Sequence, residues 1–185
     1  RTGNRFLGER RFMQANPLFA ATFGGAPHRL ITDPELANSN KTVLYHARNA
    51  NGYEAFYLDG YPQYVSRSEG KAAADASRTY LNRLGTPELD RLGVLWKVSP
   101  QGLETSVSAK PLVYFMGDTG RAAIADPELI RAEPERWTVR GAWPPGASRL
   151  VIAQPFYPGW RAWLNGQRVE LKLWDGLLQS IDRPA

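Results

Sequence analysis

The sequence predicts an α+β fold: an N-terminal α/β part with short helices and strands, then a C-terminal antiparallel β-sandwich of jelly-roll-like kind. Three observations lead there. Apolar residues at helical spacing fall almost wholly before residue 100. After Ser99-Pro100 the chain turns into short β-branched and aromatic runs separated by turn residues. Glycine and proline are frequent, 17 and 14 of 185 residues, which shortens every element and favours strands over long helices.

Residues 4–25 read as a weak helix and a loop, with Gly24-Gly25 as the break. Arg29-Leu30-Ile31-Thr32 is a strand candidate. Three tetrapeptides share one pattern: Asp33-Pro34-Glu35-Leu36, Thr86-Pro87-Glu88-Leu89 and Asp126-Pro127-Glu128-Leu129. Each reads as a helix start, with Asp or Thr as N-cap, Pro at the first helical position and Glu at the positive helix end. Their flanks differ, so similar caps explain them better than a repeat. Thr42 to Tyr45 suits a short strand or a helical turn. Asn49-Ala50-Asn51-Gly52-Tyr53 suits a sharp reversal, since Asn and Gly tolerate positive φ. Residues 61–84 read as two helices divided at Gly70. The second has an apolar stripe of Ala73, Ala76, Tyr80, Leu81 and Leu84, and Gly85 as its stop. Pro87 to Leu92 makes a short third helix, and Val94 to Val98 a buried strand.

Beyond residue 100 the strand candidates are Leu103 to Ser108, Leu112 to Met116, Trp137 to Ala142, Leu150 to Ala153, Trp160 to Leu164, Gln167 to Leu173 and Leu177 to Ile181. Helix signal is confined to about 126–132. Residues 1–26 are assigned to a membrane-proximal helix and linker, 27–117 to the α/β part and 118–185 to the sandwich part, with a soft boundary near 117–125 across which one core can be shared.

One hairpin can be read residue by residue. Asn165-Gly166 suits a two-residue type I′ turn, which pairs Leu164 with Gln167, Trp163 with Arg168, Ala162 with Val169, Arg161 with Glu170 and Trp160 with Leu171. One face then carries Trp160, Ala162, Val169 and Leu171 as core. The other sets Trp163 over Arg168 as a cation–π pair and Arg161 beside Glu170 as an ion pair. A slip of one residue would bury Arg161 and Glu170, so the pattern sets the register.

The composition narrows the chemistry. Hydrophobic residues at 43% and charged residues at 22% describe a folded globular chain. The net charge, 23 − 18 = +5, is scattered rather than striped, so nucleic acid is not an expected partner. The densest basic stretch is Arg1, Arg5, Arg10 and Arg11, which reads as a solvated basic tail or, with Phe6, Leu7 and Met13 on its apolar side, as a short juxtamembrane helix. No apolar run approaches the ~18 residues of a membrane span. The abrupt start at Arg1, without a signal peptide, is the start expected of a piece of a longer protein.

Without cysteine there are no disulfides or thiolate metal sites, and His28 and His46 lie in no ligand-spaced pair, so no metal and no cofactor is expected. No Gly-x-Ser-x-Gly elbow, phosphate loop or dinucleotide fingerprint occurs. Asp59, Asp75, Asp90, Asp118 and Glu170 could serve as paired carboxylates for glycoside hydrolysis, but most sit where capping or turns explain them. No catalytic residue is assigned. Aromatic residues remain: six Trp and eight Tyr. Flat rings on a sheet face can stack on the C–H faces of a pyranose. Trp143, Tyr157, Trp163 and Trp174 are the candidates, with Arg168 beside Trp163, while Trp137 and Trp160 are expected in the core.

A family resemblance adds to this reading. Tyr157-Pro158-Gly159-Trp160-Arg161-Ala162, followed by Asn165-Gly166 and Gly176-Leu177-Leu178, resembles a segment of YfhO-like bacterial membrane proteins. Asn51-Gly52-Tyr53-Glu54-Ala55, Leu92 to Val98 and Lys110 to Phe115 resemble further segments of that family, in the same order over about residues 27–181. The resemblance implies the extracytoplasmic region of a polytopic protein similar to membrane glycosyltransferases that use a lipid-linked sugar donor. Its partners would be a saccharide or lipid-linked sugar, and the membrane through flanking helices. The family's catalytic carboxylates lie in membrane-proximal loops outside this chain, so this region would be accessory. A free-standing carbohydrate-binding module and a non-catalytic structural or protein-interaction domain are the alternatives.

Overall fold

Strand alternation builds the architecture. The structure, a computed structural model, describes residues 17–33, 39–51, 60–71, 80–117, 126–133 and 135–184. Its central element is a four-stranded antiparallel sheet in the order β10 (Lys172–Trp174), β11 (Leu178–Asp182), β7 (Ala147–Pro155) and β4 (Val113–Gly117). Both faces of this sheet carry apolar clusters. Tyr114, Met116, Val151 and Leu178 point to one side and join the largest apolar cluster. Phe115, Leu150 and Ile181 point to the other and join a second cluster with Ala147. Successive side chains of a strand leave on opposite faces, so a run such as Tyr114-Phe115-Met116 serves both layers at once.

The first layer is the α/β part. Strand β1 (Arg29–Thr32) runs parallel to β2 (Val94–Ser99), which pairs antiparallel with β3 (Gly102–Thr105). A parallel pair needs a long crossover. Here the crossover includes a 3-10 helix (Ser39–Tyr45), α2 (Tyr61–Ser68) and α3 (Pro87–Arg91); helix α1 (Pro17–Phe23) precedes β1. Thr86 caps α3 by accepting a bond from the Leu89 amide at 3.4 Å, and Pro87 follows it. Ile31, Val65, Leu81, Leu89, Leu92 and Val94 from this layer pack with Val151 and Leu178 of the sheet and Leu177 of the turn before β11, so one core draws on both sides of residue 117. A smaller cluster joins Phe23 to Leu30 and Tyr45, with the Phe23 ring edge-on to Trp96 at 5.3 Å.

The second layer consists of two hairpins over the opposite face. One joins β5 (Glu128–Ala132) to β6 (Trp137–Arg140), the other β8 (Ala162–Leu164) to β9 (Gln167–Val169). Ala162 and Val169 pack on the Phe115 cluster, as the alternation predicts. Asn165 and Gly166 both have positive φ, 50° and 81°, and the pairs Leu164–Gln167, Trp163–Arg168 and Ala162–Val169 are those of the type I′ turn. The result is the predicted α+β fold with a sandwich-like C-terminal part.

Several local expectations are corrected. Asp126-Pro127-Glu128-Leu129 leads into a strand, with Glu128 opposite Arg140 and Leu129 opposite Val139. Pro134 lies too close downstream to allow more than about two helical turns, and pairing with Trp137–Arg140 satisfies the backbone instead. Tyr80 to Arg83 is irregular rather than helical, while residues 72–79 of that expected helix lie outside the described residues. The 1–16 segment, the Pro34–Leu36 cap and residues 52–55 also lie outside them. The predicted hairpin stops at Ala162, so Trp160 and Arg161 precede the strand; Glu170 reaches Lys172 at 3.9 Å, and among the described residues no ion pair joins it to Arg161.

The irregular segment at Leu81 is held by one side chain. Buried Asn51 accepts from the Leu81 amide at 2.7 Å through Oδ1 and donates through Nδ2 to the Thr32 carbonyl at 2.9 Å. Truncating it strands buried backbone groups, each costing ~1–3 kcal/mol. Asn51→Ala is therefore expected to lower the unfolding free energy by about 3 kcal/mol in urea titration. An unchanged value would show that the segment repacks.

Two buried phenols make the core sensitive to alkali. Tyr64 donates to the Glu88 carbonyl at 2.9 Å and Tyr114 to the Arg91 carbonyl at 3.2 Å. Burial pushes both far above the usual tyrosine range, and Asp175 adds to the shift at each. Their contribution is complete below the unfolded-chain pKa of ~10 and declines as pH rises, because the unfolded chain releases protons that the native state retains. Urea unfolding should lose ~1.4 kcal/mol per pH unit for each phenol above pH ~10, and Tyr114→Phe should remove half of that slope. Equal slopes in the two proteins would refute the assignment.

Candidate functional site

The outer face of the sheet is not fully covered by its hairpins. Between them opens a groove of about 550 Å³. Its floor is Phe115 of β4, Leu150, Ile152 and Gln154 of β7, and Gln179 and Ile181 of β11. One wall is β6 with Trp137, Thr138 and Val139, and the other is the segment Gly159 to Leu164. Four tryptophans therefore line one cleft: Trp137, Trp143, Trp160 and Trp163. A concave, mostly apolar surface with a few convergent polar groups is the usual form of a small-molecule site.

Each ring is placed by a local cause. Trp137 and Val139 share a face of β6 by alternation, both partly buried toward the groove. Trp143 tilts over Phe115 with centroids 4.9 Å apart, on the Phe115 cluster. Trp160 closes a tight turn in which its amide donates to the Tyr157 carbonyl at 3.0 Å. Trp163 lies opposite Arg168 on the outward face of β8 and is 60% exposed.

The sequence-level candidates divide. Trp143 and Trp163 both line the groove. Tyr157 is 54% exposed and folds over Gly159, its ring 3.1 Å from where a Cβ would stand there, and it does not line the groove. Arg168 is exposed outside the groove, and among the described residues it makes no cation–π contact with Trp163. Trp174 is on the other side of the sheet, edge-on to Tyr114 at 6.5 Å and covered by the Arg91 guanidinium at 5.7 Å. Its role is packing. Trp137 and Trp160, expected in the core, are groove walls instead, because the hairpins stand apart over the sheet rather than closing on it.

Two groove residues carried no aromatic signal. Gln154 Oε1 accepts from Arg29 Nη2 at 3.3 Å, and Gln179, 2% exposed, donates from Nε2 to the Pro155 carbonyl at 3.0 Å. Arg29 also donates to the Leu92 carbonyl at 2.6 Å, and burial lowers its pKa to about 10. Gln154 was legible as a polar interruption of the alternation Leu150, Ile152. Glu135, Arg136 and Arg161 complete the polar rim.

Among the described residues no cluster of His, Asp and Glu could hold a metal ion, and no helix is long and apolar enough to cross a membrane. His28 packs edge-on to Trp96 at 5.9 Å, and burial lowers its pKa. Of the carboxylates considered for hydrolysis, Asp90 accepts from Ser106 and Ser108 and so holds the loop after β3, and Glu170 faces Lys172; Asp59, Asp75 and Asp118 lie outside the described residues. No protein-family model matches the chain, and comparisons with curated proteins and with solved structures returned no match.

The two candidate rings that line the groove, Trp143 and Trp163, differ in their structural duty. Trp163→Ala is expected to leave the unfolding free energy within ~0.5 kcal/mol of the parent, as for an exposed position. Trp143→Ala removes a ring packed on Phe115 and should cost more than ~1 kcal/mol in the same urea titration. Equal costs would mean that Trp163 also supports the fold.

Proposed function

We propose that the chain is a saccharide-recognising region that acts as an accessory, not as a catalyst, to envelope-polymer glycosylation. The observation that carries this reading is the convergence of four tryptophans on one open groove with amide and guanidinium groups at its floor and rim. Indole faces stack on the C–H faces of pyranose rings, and polar groups between them meet hydroxyls. The YfhO-like segments support a membrane-tethered, extracytoplasmic setting, with the groove available to an acceptor glycan or to the sugar of a lipid-linked donor. A reading frame without flanking spans of ~20 apolar residues would remove the membrane part of this reading.

The test is titration of the purified chain with cellotetraose, maltotetraose and chitotetraose, read by tryptophan fluorescence and calorimetry. At least one should give a saturable response, and Trp163→Ala should weaken it about tenfold, or about 1.4 kcal/mol, with unfolding unchanged. If none of the three gives a saturable signal, a structural or protein-interaction role replaces saccharide binding.

A further inference from the structure

The two glutamines of the groove floor are not interchangeable. Arginine only donates hydrogen bonds, so the Gln154 atom facing Arg29 Nη2 at 3.3 Å must be Oε1. A backbone carbonyl only accepts, so the Gln179 atom facing the Pro155 oxygen at 3.0 Å must be Nε2. Each amide is thereby oriented by chemistry. Among the described residues neither makes a further side-chain hydrogen bond, which leaves Gln154 with its NH₂ donors and Gln179 with its Oε1 acceptor.

Both line the groove. Gln179 pairs with Ile152, and Gln154 stands two residues further along β7. There the register shifts, since Leu178 pairs with Pro155, so Ala153 and Gln154 form a bulge opposite β11. Bulges re-aim side chains and are common next to binding sites. Gln179 is 2% exposed and lines the groove, so only a small part of its side chain is open to a ligand there.

We infer that Gln154 and Gln179 form an oriented donor–acceptor pair that reads the hydroxyls of a neutral saccharide, with Arg29 as the positioning residue that sets its polarity. This rests on the saccharide reading of the groove and deepens it. A hydroxyl accepts and donates at once, so one or two adjacent sugar hydroxyls can take a bond from Gln154 Nε2 and give one to Gln179 Oε1. A carboxylate ligand would satisfy Gln154 but oppose the Gln179 oxygen, so the pair favours uncharged sugars. Arg29 touches no ligand. It holds Gln154 Oε1 and is itself anchored on the Leu92 carbonyl.

Gln154→Glu separates this role from packing. The shape is kept, and the new carboxylate gains an ion pair with Arg29, so thermal unfolding should not fall. The donors are lost, so affinity for whichever of cellotetraose, maltotetraose or chitotetraose binds the parent should drop at least about tenfold. Arg29→Met should lose affinity too, and Arg29→Lys, which keeps a donor for Oε1, should restore it. Trp163→Ala is run alongside. If Trp163→Ala weakens binding while Gln154→Glu binds as the parent does, the oriented pair is overturned and the saccharide reading stands. If none of the three oligosaccharides binds the parent, both fall.

Discussion

The structure depends on one constraint: the sheet of β10, β11, β7 and β4 must satisfy two apolar layers at once. Each of β4, β7 and β11 contributes buried side chains to both clusters. A half-exposed sheet would need polar residues at alternate positions. Here the alternate positions are Phe115, Leu150, Ile152 and Ile181, so something must cover them. The two hairpins do so incompletely, and the groove is what remains between them.

The inner layer is fastened to the sheet by charge as well as by packing. Asp175, at positive φ in the turn between β10 and β11, accepts from Arg67 of α2 at 3.0 Å and from Arg91 of α3 at 2.9 Å. The turn also comes close enough to Gly60 that a Cβ there would lie 2.6 Å from the Gly176 oxygen. This close approach sets α2 against the β10–β11 turn. It also accounts for Trp174, which belongs to the clamp under Arg91 and not to the groove face.

Much of the fold was legible because it is local. The type I′ turn at Asn165-Gly166, the Thr86 cap and the division into an α/β part and a strand-rich part follow from φ preferences, capping chemistry and period-two patterning. The errors were of another kind. The Asp126-Pro127-Glu128-Leu129 signal is a sound helix start, but it was overruled by a strand partner at Trp137–Arg140. The alternation puts Trp160 in the core only if β8 begins there. The strand begins at Ala162, and Trp160 turns into the groove wall.

The sequence by itself determined which residues alternate and where the chain reverses. Only the tertiary structure decided which rings share a space. Trp143 and Trp163 come together with Trp137 and Trp160, while Trp174 goes to the opposite face and Tyr157 stays outside. Alternation states that two side chains lie on different faces of one strand, but not which face meets the core of another layer. That choice is made by long-range packing, and so is the bond from Arg29 to Gln154, which joins groups 125 residues apart and sets an amide orientation that no local pattern specifies.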